Sequence, residues 1–292
     1  MARVLLFGAT GFLGQAVASA LRADPRVDTV LAAGRRQPAA MEWVRHDLVT
    51  GSPDQLAQLL TKLRPDAVVN CAGRLTGTYA ELVAANTGAV AQLVDAIAQA
   101  APQARLVTLG SAAEYGVVKA GRPVQETDLT CPVSGYGVTR LAATRLVELA
   151  ATTGQLDAVV LRVFNPIGPG LPEANVAGRA IRELHRALSD GTGEIQLGPL
   201  GAYRDFVDVR DVAGAVVAAV FARAPRQVVC NVGSGTATSA RTLVRLLADA
   251  AGFTGIVTES QPPSARSVGV DWIAADLHHT VAALGWAPLY SL

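Results

Sequence analysis

The chain has 292 residues, half of them apolar, with a formal net charge of +1 and acids and bases mixed throughout. That length holds one large α/β domain or a nucleotide domain with a smaller lobe, and the balanced charge excludes the electrostatic footprint of a nucleic-acid binder. The three widely spaced cysteines, Cys71, Cys131 and Cys230, form no disulfide framework or metal-ligand set, and no targeting or membrane-length apolar segment is read; a metal-free, cytoplasmic enzyme is expected.

Val4–Phe7 is a short β-branched and apolar run, and reads as a first strand. Gly8-Ala9-Thr10-Gly11-Phe12-Leu13-Gly14 follows it and opens a helix over Leu13–Ala23. The glycine spacing lets the backbone turn tightly and brings amides close to a pyrophosphate at the positive end of the helix. Gly8, Thr10, Gly11, Phe12, Leu13 and Gly14 are therefore candidate dinucleotide contacts.

The second strand, Val27–Ala32, runs into Gly34-Arg35-Arg36, with no acid at the spacing where an NAD site binds the ribose 2′-hydroxyl. Two guanidiniums there suit the 2′-phosphate of NADP(H), which a carboxylate would repel; solvated loop charges are the plainer alternative. A third run, Trp43–Arg45, precedes Asp47 and Leu48. Asp47 is placed to bond an adenine amino group, or to hold its own turn. A helical stretch over Asp54–Leu63, a strand Ala67–Asn70, a helix Ala80–Ala100 and a strand Arg105–Leu109 follow. Ser111 lies just past that strand, where strand ends face the cofactor crevice.

A helix over Gly137–Ala151 comes next, and Tyr136 and Arg140, four apart at its start, share one face. A sixth strand, Ala158–Val163, ends the alternation, which predicts a doubly wound parallel sheet of the Rossmann type. The breaker cluster Asn165-Pro166-Ile167-Gly168-Pro169-Gly170-Leu171-Pro172 leaves the sheet. We read residues 1–164 as the dinucleotide domain and 165–292 as a smaller mixed α/β substrate lobe, partly interleaved with it. That lobe carries a helix near Val176–Leu188, with His185 on its polar side, and a strand Glu194–Leu197.

These residues resemble an extended short-chain dehydrogenase/reductase of the nucleotide-sugar epimerase/dehydratase type, over nearly the whole chain. Asn70-Cys71-Ala72-Gly73 resembles the family's turn over the cofactor, and Asn86 with Gly88 its Asn-containing helix beside the active site. Residues 132–140 are similar to its active-site helix entry, with Tyr136 as the acid or base and Ser111 holding the same oxygen. The family has Lys where this chain has Arg140. Arg keeps the charge and the ribose-binding donors but cannot relay a proton. Three readings stay open: relay through water, a slower enzyme, or binding without chemistry.

The resemblance further implies that Cys71, Ala72 and Gly73 line the cofactor site. It implies that Asn165, Arg204 and Arg266 clamp the diphosphate of a nucleotide sugar, with Arg179 as a further candidate. Ser111–Gly116, Phe164–Gly170 and Arg204–Phe206 look most like GDP-4-keto-6-deoxymannose reductases. The leading expectation is an NADPH-dependent ketoreductase acting on a nucleoside-diphosphate 4-keto-6-deoxy sugar. The alternatives are a ketoreductase for an aromatic or polyketide natural product, an NAD-dependent sugar-nucleotide epimerase, and a non-catalytic NADP(H) sensor. A homodimer is expected from the resemblance.

Overall fold

The computed structural model describes residues 1–173, 175–223, 227–260 and 269–292. Six strands follow one another up to Val163: β1 (Ala2–Phe7), β2 (Val27–Gly34), β3 (Trp43–Arg45), β4 (Ala67–Asn70), β5 (Arg105–Ser111) and β6 (Ala158–Val163). A strand from much later in the chain, β10 (Val229–Val232), joins them as the seventh, in the spatial order β3-β2-β1-β4-β5-β6-β10. Every neighbouring pair is parallel. The expected doubly wound sheet is therefore present, and its order reverses between β1 and β4, which opens a crevice at the carboxyl ends of the strands.

Parallel strands need cover on both faces, and β1 shows how the sequence supplies it. Val4 and Leu6 point to one core, with Val17 and Leu21 of α1 (Phe12–Ala23) and Val212 and Val216 of α7 (Val209–Phe221). Leu5 and Phe7 point to the other. There they meet Leu56 and Leu60 of α2 (Pro53–Leu63), Leu93 and Ile97 of α4 (Ala89–Ala100), and Val147 of α5 (Gly135–Thr152). Each such fully buried Leu or Ile contributes about 1.5–3 kcal/mol.

The helix expected over Ala80–Ala100 is not continuous. It is divided into α3 (Tyr79–Leu82), a π-helical turn (Val83–Gly88) and α4. The wide turn carries Asn86 inward, where its amide donates to Thr139 Oγ1 at 3.0 Å and to the Arg74 carbonyl at 3.0 Å. Its carbonyl oxygen accepts the Arg74 amide at 2.8 Å. Single π-turns of this kind are found where a helix must aim one side chain.

The smaller layer is built from β7 (Asn165–Ile167), α6 (Val176–Asp190), β8 (Glu194–Leu197), β9 (Tyr203–Asp208), β11 (Ala237–Ser239), α8 (Ala240–Ala251) and β12 (Ile256–Glu259). β9 pairs with both β7 and β11, and β8 pairs with β12. Ala180 and Leu184 of α6 pack on Ile195, Leu197 and Val244. Asp205 ties this layer to the main sheet: its fully buried carboxylate accepts the amides of Ser234, Gly235 and Ala275 and the Ser234 hydroxyl, at 2.6–3.0 Å. Among the described residues, no helix is long and apolar enough to cross a membrane.

Candidate active site

The glycine loop packs as its spacing requires. Gly8 sits at φ +80°, and a side chain there would press to within 2.6 Å of the Ala72 amide. A side chain on Gly14 would run into the Gly8 carbonyl, so α1 meets β1 only because both positions are glycine. Gly11 is the N-cap of α1 and brings no side-chain cap, leaving the first-turn amides of a helix whose start lines the main cavity. Uncapped donors at the positive end of a helix, on a cradle stripped of side chains, fit the pyrophosphate of a dinucleotide.

That cavity has a volume of about 730 Å³, in the upper part of the range of small-molecule sites. Gly11, Phe12, Leu13, Cys71 and Gly73 line it, and so do Ser111, Tyr136 and Arg140. Ser111 ends β5. Its Oγ accepts the Ala113 amide at 3.2 Å, which leaves the hydroxyl proton to be donated elsewhere. Ser134 caps α5 by accepting the Gly137 amide at 3.2 Å, so Tyr136 stands in the first turn with its side chain toward the cavity. Its hydroxyl has no hydrogen-bond partner among the described residues.

Arg140 lies one turn along, 7 % exposed, with its Cζ 5.5 Å from the centre of the Tyr136 ring. Nη1 donates to the Leu109 carbonyl at 3.1 Å, while the buried Nε has no partner. No carboxylate pairs with this guanidinium among the described residues. A buried cation without a counter-charge is costly, and sites that keep one hold it for an anion. Cys71 is beside Arg140, but burial outweighs that cation and pushes its thiol up to about 12.

Asn165, Arg179 and Arg204 reach the same cavity, together with Asn175 and Asp271. Arg204 is gripped from behind, Nη1 by the Tyr203 carbonyl at 2.8 Å and Nη2 by the Val270 carbonyl at 2.6 Å. Burial pushes its pKa below the usual value, with Asp271 opposing, and a guanidinium stays charged regardless. The Asn165 amide donates to the Asp205 carbonyl at 3.0 Å.

The remaining candidates lie apart from the cavity walls. Arg35 and Arg36 are exposed on the loop after β2. Asp47 holds its own turn, accepting the Val49 amide at 2.9 Å and the Thr50 hydroxyl at 3.1 Å. Burial raises its pKa, but those bonds and the nearby Arg35 charge bring the net value below the ordinary one. Leu48 is buried in the core beside Leu56, Thr10 and Ala72 flank the glycine cradle, and His185 is exposed. Arg266 falls outside the described residues. Sequence reasoning assigned no role to Asn175, Asp271, Thr139 or Glu114. Only Glu114 had a signal, its place three residues after Ser111, which is capping-box spacing.

A family model described as the NAD dependent epimerase/dehydratase family matches residues 4–233. The chain is 38 % identical, over 100 % of its length and 92 % of the relative, to a dTDP-6-deoxy-L-talose 4-dehydrogenase (NAD(P)(+)) of Kitasatospora kifunensis. It is 30 % identical to the GDP-6-deoxy-D-mannose reductase of Pseudomonas aeruginosa, over 85 % of the chain and 80 % of the relative. Among solved structures, RMD from Pseudomonas aeruginosa complexed with NADPH superposes with a TM-score of 0.83 at 26 % identity, covering 100 % of this chain and 93 % of that one.

Proposed function

The chain belongs to the NAD dependent epimerase/dehydratase family, and from that premise we propose that it is an NADPH-dependent reductase of a nucleoside-diphosphate 4-keto-6-deoxy sugar. One observation carries the reading: Ser111, Tyr136 and Arg140 line a single cavity together with Gly11 of the glycine cradle and with Arg179 and Arg204. A dinucleotide suits the glycine cradle, and a diphosphate-bearing substrate suits the two guanidiniums. The wall around Tyr136 and Ser111 includes Leu75, Ala113 and Val133, an apolar border suited to a deoxygenated sugar carbon. Both relatives described above are named for 6-deoxy sugars.

Gly8, Gly11, Phe12, Leu13 and Gly14 would hold the cofactor's pyrophosphate, Arg35 and Arg36 its 2′-phosphate, and Cys71, Gly73 and Arg140 the nicotinamide end. When bound, the nicotinamide supplies a hydride to the carbonyl carbon. Ser111 donates its free hydroxyl proton as a hydrogen bond to the carbonyl oxygen, and Tyr136 transfers its phenolic proton to that oxygen. A free phenol has a pKa of about 10, so loss of its proton near neutrality needs a fixed cation nearby. Arg140 supplies it. Because Arg140 cannot itself deprotonate, water returns the proton to Tyr136.

In the reverse sense the same groups oxidise a 4-hydroxyl, the sense in which the talose relative is named. A homodimer of the family's kind would bury the exposed Val138, Leu146 and Leu149 of α5. A screen of NADPH oxidation over several nucleotide 4-keto-6-deoxy sugars and a set of aromatic ketones tests the reading. Turnover confined to the sugars supports it, and turnover confined to the aromatic ketones refutes it.

A further inference from the structure

Directly behind Ser111 lies a pair of charges that the chemistry above does not use. Glu114, in the short turn after β5, is 0 % exposed, and Arg162 of β6 is 1 % exposed. Glu114 Oε2 accepts from Arg162 Nε at 2.7 Å, and Oε1 accepts the Ser111 amide at 2.8 Å. Ser111 Oγ in turn accepts the Ala113 amide, so Ser111 and Glu114 close a reciprocal capping box around one turn of backbone. Position 110 is cut to fit, since a side chain on Gly110 would come within 2.6 Å of Glu114 Oε1.

Arg162 is tied down on its other side. Nη1 donates to the Tyr115 hydroxyl and to the Glu126 carbonyl, each at 3.2 Å, and its Cζ is 4.8 Å from the centre of the Tyr115 ring. The Tyr115 hydroxyl donates to Asn231 Oδ1 at 2.7 Å, linking β5 and β6 to β10. Burial pushes the Tyr115 phenol up to about 12, which keeps it a neutral donor.

Resting on the reading of Ser111 as a donor to the reacting oxygen, we propose that Glu114 is a positioning residue for Ser111 and that Arg162 makes its charge tolerable there. A buried ion pair is a poor device for stability alone, because apolar residues of the same volume do as well or better. Its geometry here has a specific product. The carboxylate fixes the Ser111 backbone, the cap fixes the orientation of Oγ, and the hydroxyl proton has only the cavity left to point into. The Arg162 charge cancels a carboxylate that would otherwise oppose the negative charge growing on the substrate oxygen.

Two double variants separate positioning from mere packing, since neither leaves a lone buried charge. Glu114→Gln/Arg162→Met keeps an acceptor for the Ser111 amide, and Glu114→Ala/Arg162→Met removes it. With dTDP- or GDP-4-keto-6-deoxy sugar as substrate, the Gln variant is expected to keep kcat within about threefold of the parent. The Ala variant is expected to lose at least about tenfold in kcat with KM and NADPH affinity unchanged. That loss is expected to vanish when Ser111 is already Ala. In ¹⁵N-serine-labelled protein without substrate, the Ser111 amide proton is expected downfield in the parent and Gln variant and shifted upfield in the Ala variant. Equal kcat in the two doubles, or a loss that persists on the Ser111→Ala background, overturns the positioning role alone. A Ser111→Ala single variant with full activity overturns both this role and the reading beneath it.

Discussion

Gly73 makes the room that Arg140 fills: a methyl group at position 73 would overlap the Arg140 guanidinium. The loop after β4 and the second turn of α5 are thereby matched to each other. The larger, planar cation is accommodated by the absence of a side chain opposite it. Gly73→Ala is expected to lower kcat and NADPH affinity at least about tenfold each, the scale for displacing one charged hydrogen-bond donor. Adding Arg140→Lys, with its more compact ammonium, is expected to restore much of the cofactor affinity lost in Gly73→Ala. Fluorescence titration with NADPH reads this directly, and a double variant no better than Gly73→Ala alone contradicts the matched pair.

Arg35 and Arg36 stand exposed beyond β2, free to close on a 2′-phosphate. Each charged hydrogen bond is worth about 1.5–3 kcal/mol, so changing both to Ser is expected to raise KM for NADPH by about tenfold or more. KM for NADH should hardly move. The ratio of the two KM values is the readout, and an unchanged ratio assigns the pair to solvated loop charge.

Arg179 offers a clean test of the substrate end, because its guanidinium supports no other element through a hydrogen bond among the described residues. Arg179→Gln is expected to raise KM for a sugar nucleotide about tenfold with kcat preserved, as loss of uniform binding does. Arg204→Gln should do the same and also lower Tm, since Arg204 braces the Tyr203 and Val270 carbonyls. A substrate without a diphosphate would leave KM indifferent to Arg179.

The cysteines report the electrostatics of the crevice. Burial pushes the Cys71 and Cys230 thiols up to about 12. Only the thiolate is nucleophilic, so at pH 8 both thiols are expected to react slowly. Iodoacetamide at pH 8 is expected to label exposed Cys131 first, and mass spectrometry after short exposure should find a single adduct there. Raising the pH toward 10 should speed labelling at Cys71 steeply. Rapid alkylation of Cys71 at pH 8 would show that Arg140 dominates over burial, and that its charge is felt more strongly than the packing implies.

The parts of this molecule that were legible in the sequence are those encoded locally. The alternation of Val4–Phe7 with its neighbours, the glycine loop, and the four-residue step from Tyr136 to Arg140 each depend on residues close in the chain. Periodicity and backbone sterics speak at that range. What was not legible depends on partners far apart. Glu114 meets Arg162 across 48 positions, and Asn86 reaches Thr139 across 53. The π-helical turn that aims Asn86 is only 6 residues long, too short a window for periodicity to register. The seventh strand, Val229–Val232, is only 4 residues long and completes a sheet begun more than two hundred residues earlier. Asp47 reads first as an adenine contact, with a turn-holding role close behind; the structure shows it bonded within its own turn.

The central claim is that Tyr136 protonates a sugar ketone while NADPH is consumed. The most direct measurement compares single-turnover NADPH oxidation in the parent and in Tyr136→Phe, with cofactor affinity measured alongside on the same preparations. Using a nucleotide 4-keto-6-deoxy sugar in excess, the account predicts one NADPH oxidised per active site in the parent. In the Phe variant it predicts a rate at least about a hundredfold slower, the scale of a lost general acid, with NADPH affinity unchanged. An unchanged rate in Tyr136→Phe, or a parent that turns over sugar nucleotides while consuming no NADPH, would contradict it.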